Sequence, residues 1–419
     1  MEKSTTPPLV PREAASEAGL PGSRKQAMPT IDTLKGFSMI MVFHVHFAWP
    51  WRASDWFSLL RLFWYFTDFF GVATFLIISL VGSMRSIQAR WASGNTPLYT
   101  REKLLRISYL LLCGEVMNLF FLQWEGPFHL LIWNVLTGIA VFSLLLPLVM
   151  KLPVWLRLAM VIALVSLYYP LLDWSMGPMR QAGLAPDEIR LANLLDPRTL
   201  VYFTLFCHTM MMPPYPWLIA LLLTTVLFRT ISSPSAQASP ALFSRELKRI
   251  LVYGIALIGM GISSGFWLAR DYDASTFQEL LVPGQYLTWP FPDGIFVFLI
   301  GDVPQSIFFN VGIVLVLFST IGYFQIIKGK RFIRQELVDN VGRSSLTAYI
   351  LTHVAMCIPV SFSMPAFYVI FVPMLIAYVG GLWIWKTRYR GVGSLEYAMD
   401  AHVHYITILI DKQRTKHRH

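Results

Sequence analysis

From residue 31 to residue 386 the chain runs as long apolar blocks separated by short polar segments. The blocks are about 17 to 25 residues long, the length a helix needs to cross a hydrocarbon core of roughly 30 Å. Read this way, spans fall near 31 to 51, 62 to 84, 104 to 124, 128 to 150, 154 to 173, 200 to 228, 250 to 269, 305 to 327, 345 to 362 and 365 to 386. The sixth is too long for one straight helix. Pro213, Pro214 and Pro216 remove backbone donors within it, so it is expected to break or kink there. The predicted fold is all-α, a polytopic bundle of about ten transmembrane helices with one proline-broken member. No internal repeat is strong enough to argue for inverted halves.

Composition supports the pattern. Of 419 residues 55% are hydrophobic and 14% charged, against about a quarter charged in a soluble domain. The net charge of +10 is expected to mark cytoplasmic loops rather than nucleic-acid binding. Arg85, Arg90, Arg101, Lys103 and Arg106 follow the second span, Lys151 and Arg157 the fourth, Arg229, Arg245, Lys248 and Arg249 the sixth, and Lys328, Lys330, Arg331, Arg334 and Arg343 the eighth. The stretch 270 to 302 is acidic instead, with Asp271, Asp273, Glu279, Asp293 and Asp302. Both termini are therefore predicted in the cytoplasm. Residues 1–28, polar and proline-rich, read as a disordered cytoplasmic tail, 29–390 as the membrane domain, and 391–419 as a basic cytoplasmic tail. A cleaved signal peptide is not expected, because the first apolar run starts late and contains Asp32, Lys35, His44 and His46. Cys113, Cys207 and Cys357 lie in apolar segments without metal-ligand spacing, so neither disulfide nor structural metal is expected.

Ionisable side chains inside spans cost about 2.5 to 3.5 kcal/mol on insertion scales, which makes each a functional candidate. At 100° per residue Asp32, Lys35 and His46 share one face of the first span, with Lys35 about 16 Å from His46 and His44 pointing elsewhere. On this reading only one of the two histidines faces the interior. Asp68 on the second span lies at a similar depth. If the two helices are adjacent, it can orient the His46 imidazole as a general base; a pairing of Asp68 with Arg52 or Arg61, and a purely packing role for His46, remain open. Further candidates are His208 above the proline break, Tyr349 and His353 four apart on the ninth span, and Asn134 at the head of the fourth.

Several segments together resemble the transmembrane acyltransferase superfamily. Ile31-Asp32-Thr33-Leu34-Lys35-Gly36 followed by His46 is similar to its opening D-x-L-R-G with a histidine eleven residues after the basic position. Asp68-Phe69-Phe70-Gly71 running into Phe75-Leu76-Ile77-Ile78-Ser79 resembles its aromatic second helix. Asn134-Val135-Leu136-Thr137-Gly138-Ile139 resembles G-x-L-x-x-I-G, and Pro213-Pro214-Tyr215-Pro216-Trp217-Leu218 resembles P-x-x-PWL. Gly342-Arg343-Ser344-Ser345-Leu346-Thr347-Ala348-Tyr349 with His353 resembles G-R-x-S-L-x-x-Y with a following histidine, and Gly393-Ser394-Leu395-Glu396 a terminal G-P-L-E. The branch it resembles most is that of the heparan-alpha-glucosaminide N-acetyltransferase catalytic domain and its bacterial relatives; the acyltransferase type 3 family shares the basic-to-histidine spacing. Lys35 stands where the usual residue is Arg, which keeps the charge but loses the bidentate fork. Thr137 stands where bacterial relatives often have His, and Ser394 replaces Pro.

The resemblance implies transfer of an acyl group, acetyl first, from cytoplasmic acyl-CoA to a sugar or related small-molecule acceptor outside the membrane. It implies His46 as the catalytic base or acyl carrier, with Asp68 orienting it. Lys35, Arg85, Arg90, Arg343, His208, Tyr349, His353 and Asn134 are the candidate substrate and CoA contacts. The setting it implies is multi-pass, in a bacterial cytoplasmic membrane, with a homodimer left open. A transporter, for which buried charge and a broken helix are equally natural, and an inactive scaffold of the same fold are the alternatives.

Overall fold

The computed structural model describes residues 28–51, 58–94, 97–121, 133–183, 191–206, 213–268, 303–331, 334–356, 358 and 360–416. Its helices, in order, are α1 Pro29–Trp51, α2 Ser58–Ala92, α3 Arg101–Phe121, α4 Val135–Lys151, α5 Val154–Ala182, α6 Pro197–Leu205, α7 Pro214–Leu227, the short α8 Pro234–Ala238, α9 Pro240–Leu268, α10 Pro304–Gly322, α11 Gln335–Arg343, α12 Ser345–Met356, α13 Met364–Arg388 and α14 Leu395–Lys416. Each expected span has a helix beneath it. The sixth is divided into two helices: α6 ends at Leu205 with Phe206 as its cap, and α7 begins at Pro214 with Pro213 as its cap.

Five helical segments among the described residues are long and apolar enough to cross a membrane: Phe70–Ala92, Val154–Ala182, Pro240–Ser264, Pro304–Ile327 and Pro365–Arg388. In α5 and α13 only 17% of the apolar window is buried within the protein. Trp155, Ile162, Val369 and Ile376 are all more than 65% exposed. A soluble monomer rarely leaves continuous apolar faces of this size to water. These surfaces face lipid, and the protein is an integral membrane protein.

The connections that carry basic residues collect at one end of the bundle. There Thr30 donates to Gln325 at 3.0 Å, Gln88 to the Arg229 carbonyl at 3.0 Å, and Arg249 to Thr230 at 3.0 Å, while Arg343 pairs with Asp32 at 3.1 Å. Besides the short α8, two longer helices at this end lie outside the predicted spans. One is α14, within the predicted basic tail. The other is α11, which lies in what reads as the basic loop after span eight and has one polar and one buried face.

α1 occupies the middle, packed against α2, α11, α12 and α13. Its approach to α11 is set by small residues. A Cβ on Gly36 would collide with the Val338 backbone, and one on Gly342 with the Asp32 carbonyl. Around this crossing Thr33 donates to Asp339 at 2.5 Å, and Gln335 donates to the other Asp339 oxygen at 3.1 Å. α9 and α10 meet in the same manner, with Gly254 against Gly312. Lipid tails are as apolar as leucine, so close backbone approach and interhelical hydrogen bonds replace the hydrophobic drive available in water.

This packing predicts that Gly36→Ala destabilises the protein by about 1–3 kcal/mol through overpacking. Gly259→Ala is the control: nothing lies within 4 Å of its added methyl, and alanine is the better helix former. Thermal unfolding in detergent should fall by several degrees for the first variant and hold or rise for the second.

Candidate active site

Towards the end of α1 remote from the basic loops, His46 is buried against α12. Tyr349 and His353 are one helical turn apart there and so share a face. The His46 and His353 ring centroids are 4.5 Å apart in an edge arrangement; Tyr349 lies 4.4 Å from His353 and 6.1 Å from His46. Both histidines bond back onto their own helices. Nδ1 of His46 is 2.8 Å from the Val42 carbonyl, and Nδ1 of His353 is 2.9 Å from the Tyr349 carbonyl. A carbonyl only accepts, so Nδ1 carries the proton in each neutral ring and Nε2 is the basic nitrogen.

His44 departs from expectation. It is as buried as His46, at 7% exposure for each, because α1 has neighbours on both sides. While His46 turns to α12, His44 turns to α13, with Nε2 3.3 Å from the Tyr368 hydroxyl and Phe367 and Phe371 around the ring. The roughly 200° between them thus selects between two interfaces, and both are inside the protein.

Spans one and two are adjacent, as the pairing of His46 with Asp68 requires. A Cβ on Gly71 would stand 3.1 Å from Met41 and 3.2 Å from Val42, which puts Asp68, three residues earlier on the antiparallel α2, level with residues 44–46. The Asp68 side chain lies outside the described residues, as does His208. The group that holds Nδ1 of His46 is the Val42 carbonyl.

At the basic end Asp32 is shared among cations. It pairs with Arg343, and its charge also acts on Lys35 and Arg85. Beyond them, Arg90 and Lys103 form a second cationic group. Their terminal nitrogens are buried without hydrogen-bond partners among the described residues. Burial, and then the Arg90 charge, push Lys103 down to about 8; Lys103 sits just before the apolar stretch of α3.

Two of the sequence motifs meet here. The Glu396 carboxylate accepts from the Leu346 and Thr347 amides at 2.6 and 3.1 Å and from the Thr347 hydroxyl at 2.5 Å, capping the start of α12 from fifty residues away. An anion at this position also suits the helix dipole. Asn134 has a comparable task. Its oxygen caps α4 at Leu136 and Thr137, and its amide donates to the Gly114 carbonyl and to Asn118 on α3. Both amide hydrogens are thereby occupied, so the residue locks α3 to α4 rather than offering a donor to substrate. Sequence reasoning missed Lys103 and Glu396 as site residues. The signals were the terminal G-S-L-E segment for Glu396, and for Lys103 the absence of a nearby acid other than Glu102.

The catalytic-domain model of heparan-alpha-glucosaminide N-acetyltransferase matches residues 28–259, which takes in α1 to most of α9 and includes His46. No curated protein matches the chain. His353, Arg343 and Glu396 lie beyond the matched stretch, yet the structure folds them against α1 and the start of α12. With more than half its length matched, from the lysine-to-histidine helix onward, the chain belongs to the family of the heparan-alpha-glucosaminide N-acetyltransferase catalytic domain, a family of membrane acetyltransferases.

Proposed function

We propose that the protein transfers an acyl group, acetyl first, from cytoplasmic acyl-CoA to a sugar or related small acceptor on the opposite side of the membrane. The observation that carries this reading is the buried His46–His353 pair, set some 16 Å along α1 from an end of the bundle where cations outnumber acids. Arg85, Arg90 and Arg343, joined by Lys103, hold the CoA phosphates, and Lys35 lies on the path between them and His46. The extended arm of acyl-CoA brings its thioester to the histidines. Nε2 of His46 takes the proton from the acceptor's hydroxyl or amine as that atom attacks the thioester carbonyl. The carbon–sulfur bond breaks, the imidazolium returns its proton to the departing sulfur, and acylated acceptor and free CoA thiol result. Asp68 supports the imidazolium charge, while Tyr349 and His353 are positioning residues that confine the His46 ring. Both termini and the basic connections are assigned to the cytoplasm.

Three outcomes follow. With equal monodisperse yield in detergent, His46→Gln should lose at least about a hundredfold in acyl-CoA turnover, His353→Gln less, and His44→Gln little. Near wild-type turnover in His46→Gln sinks the mechanism, and turnover coupled to solute flux would favour a permease. In a background lacking Cys113, Cys207 and Cys357, an impermeant thiol reagent applied from outside should label a cysteine introduced at Ser275 and spare one at Ser233; the reverse overturns the orientation. The third is a pH dependence. Lys103 titrates near 8, below its ordinary 10.5, so in the unliganded protein its charge opposes folding below about pH 8 and this penalty fades as pH rises towards 10.5. A bound phosphate reverses the sense, because it needs the cation: acyl-CoA affinity should fall as pH rises from 7 to 9. Lys103→Met should bind weakly at both values, and a pH slope unchanged in that variant counts against the assignment.

A further inference from the structure

A further cationic site, with Arg157 buried and Arg229 exposed at its edge, lies beside the one just described, on another face of α2. Met84, Gln88 and Trp91 form one stripe of that helix, and Arg85 and Arg90 fall on its two flanks. The stripe closes a cavity of about 170 Å3 whose wall also includes Arg157, Arg229 and Met150. A single water needs only about 10–15 Å3 measured in this way, so the space admits a larger polar group.

Its chemistry is one-sided. Arg157 is 2% exposed, with Nη1 donating to the Thr225 carbonyl at 2.7 Å and Nε without a hydrogen-bond partner among the described residues. Trp91 Nε1 and Gln88 Oε1 are likewise buried and unpartnered among them, although the Gln88 amide is fixed by its bond to the Arg229 carbonyl. No Asp or Glu is among the lining residues. The charge acting on Arg157 is the like charge of Arg229. Arg157 also belongs to the first turn of α5, a 29-residue helix whose N-terminus has no side-chain cap and so presents its positive end here. A buried guanidinium without a counter-charge costs several kcal/mol unless an anion completes it, and two guanidiniums with an indole N–H offer the forked donors that phosphate oxygens accept.

We propose that this cavity, formed by Arg157, Arg229, Trp91 and Gln88, binds a phosphate group, separately from the Arg90–Lys103 cluster. Two molecules can bring such a group to this end of the bundle: acyl-CoA, in which case the proposal rests on the function above, or an anionic phospholipid whose headgroup enters from the bilayer. The test uses the full chain purified in detergent, with inorganic pyrophosphate and coenzyme A as soluble probes, and nanodiscs of phosphatidylglycerol against phosphatidylcholine for the lipid. Arg229→Gln should weaken pyrophosphate binding by about tenfold or more, as expected for loss of a charge-assisted contact. Arg157→Lys, which keeps the charge without the fork, should do the same, and Trp91→Phe should weaken it less. Should Arg157→Lys fail to fold, the other two variants decide. A matching loss for coenzyme A alone identifies the nucleotide as the source; loss of the phosphatidylglycerol preference alone identifies the lipid. Wild-type protein that binds no probe, or a stable Arg229→Gln that binds all of them as wild type does, overturns the site. Because these are binding measurements, a protein that holds pyrophosphate here yet shows no acyl transfer would refute the proposed function and leave the pocket standing.

Discussion

The crossing of α1 and α11 is the contact on which the rest of the structure depends. Gly36 and Gly342 let two backbones touch, and the Thr33–Asp339–Gln335 bonds beside them fix the rotation of α1 about its axis. That rotation decides which face of α1 meets α12, because α11 continues through Ser344 directly into it. Ten residues beyond Gly36, the face so chosen carries His46. An error of one residue in this contact would turn His46 by 100° away from His353. The site is thus aligned from a distance, by a contact at the basic end rather than by bonds between the histidines.

The two ends of α1 also set opposite electrostatic conditions. At the basic end Asp32 answers Lys35, Arg85 and Arg343 together, and Glu396 is largely committed to the amides of α12. Positive charge is therefore left over at this end, on Arg90 and Lys103 among others. Around His46 the rings of Tyr349 and His353 close in, and Nδ1 of each histidine of the pair is held by a backbone carbonyl. On the proposed function, a phosphate-bearing substrate is drawn to one end and its uncharged acyl arm to the other.

Much of this was legible in the sequence because a membrane makes length and hydropathy decisive: the helix positions, the basic connections gathered at one end and the proline break are all local properties. Pairings were not. Lys35 and His46 share a face by arithmetic, but that His46 meets His353, more than 300 residues away, depends on α11, whose nine residues read as one more basic loop. The burial of His44 was invisible for a related reason. Periodicity gives the angle between two side chains on a helix and not the number of helices around it. Asn134 stood out as a polar residue at a span's head, and it took three-dimensional contacts to assign it to capping.

The back-bonded histidines have their tautomers set without a charged side chain at Nδ1. A carboxylate holding Nδ1 would add a buried charge of the kind that costs about 2.5 to 3.5 kcal/mol in the bilayer centre. The carbonyls of Val42 and Tyr349 perform the same tautomer selection with no added charge, since each already lies four residues below its ring on the helix. With ring centroids 4.5 Å apart in a medium of low dielectric, a positive charge on one imidazole strongly opposes a second on the other. The pair therefore accommodates one proton beyond the two already on its Nδ1 atoms. On the mechanism proposed here that is the required capacity: the proton taken from the acceptor must be returned to the sulfur before another can be accepted, so the rings act as a single carrier between two substrates and are neutral again when the products leave.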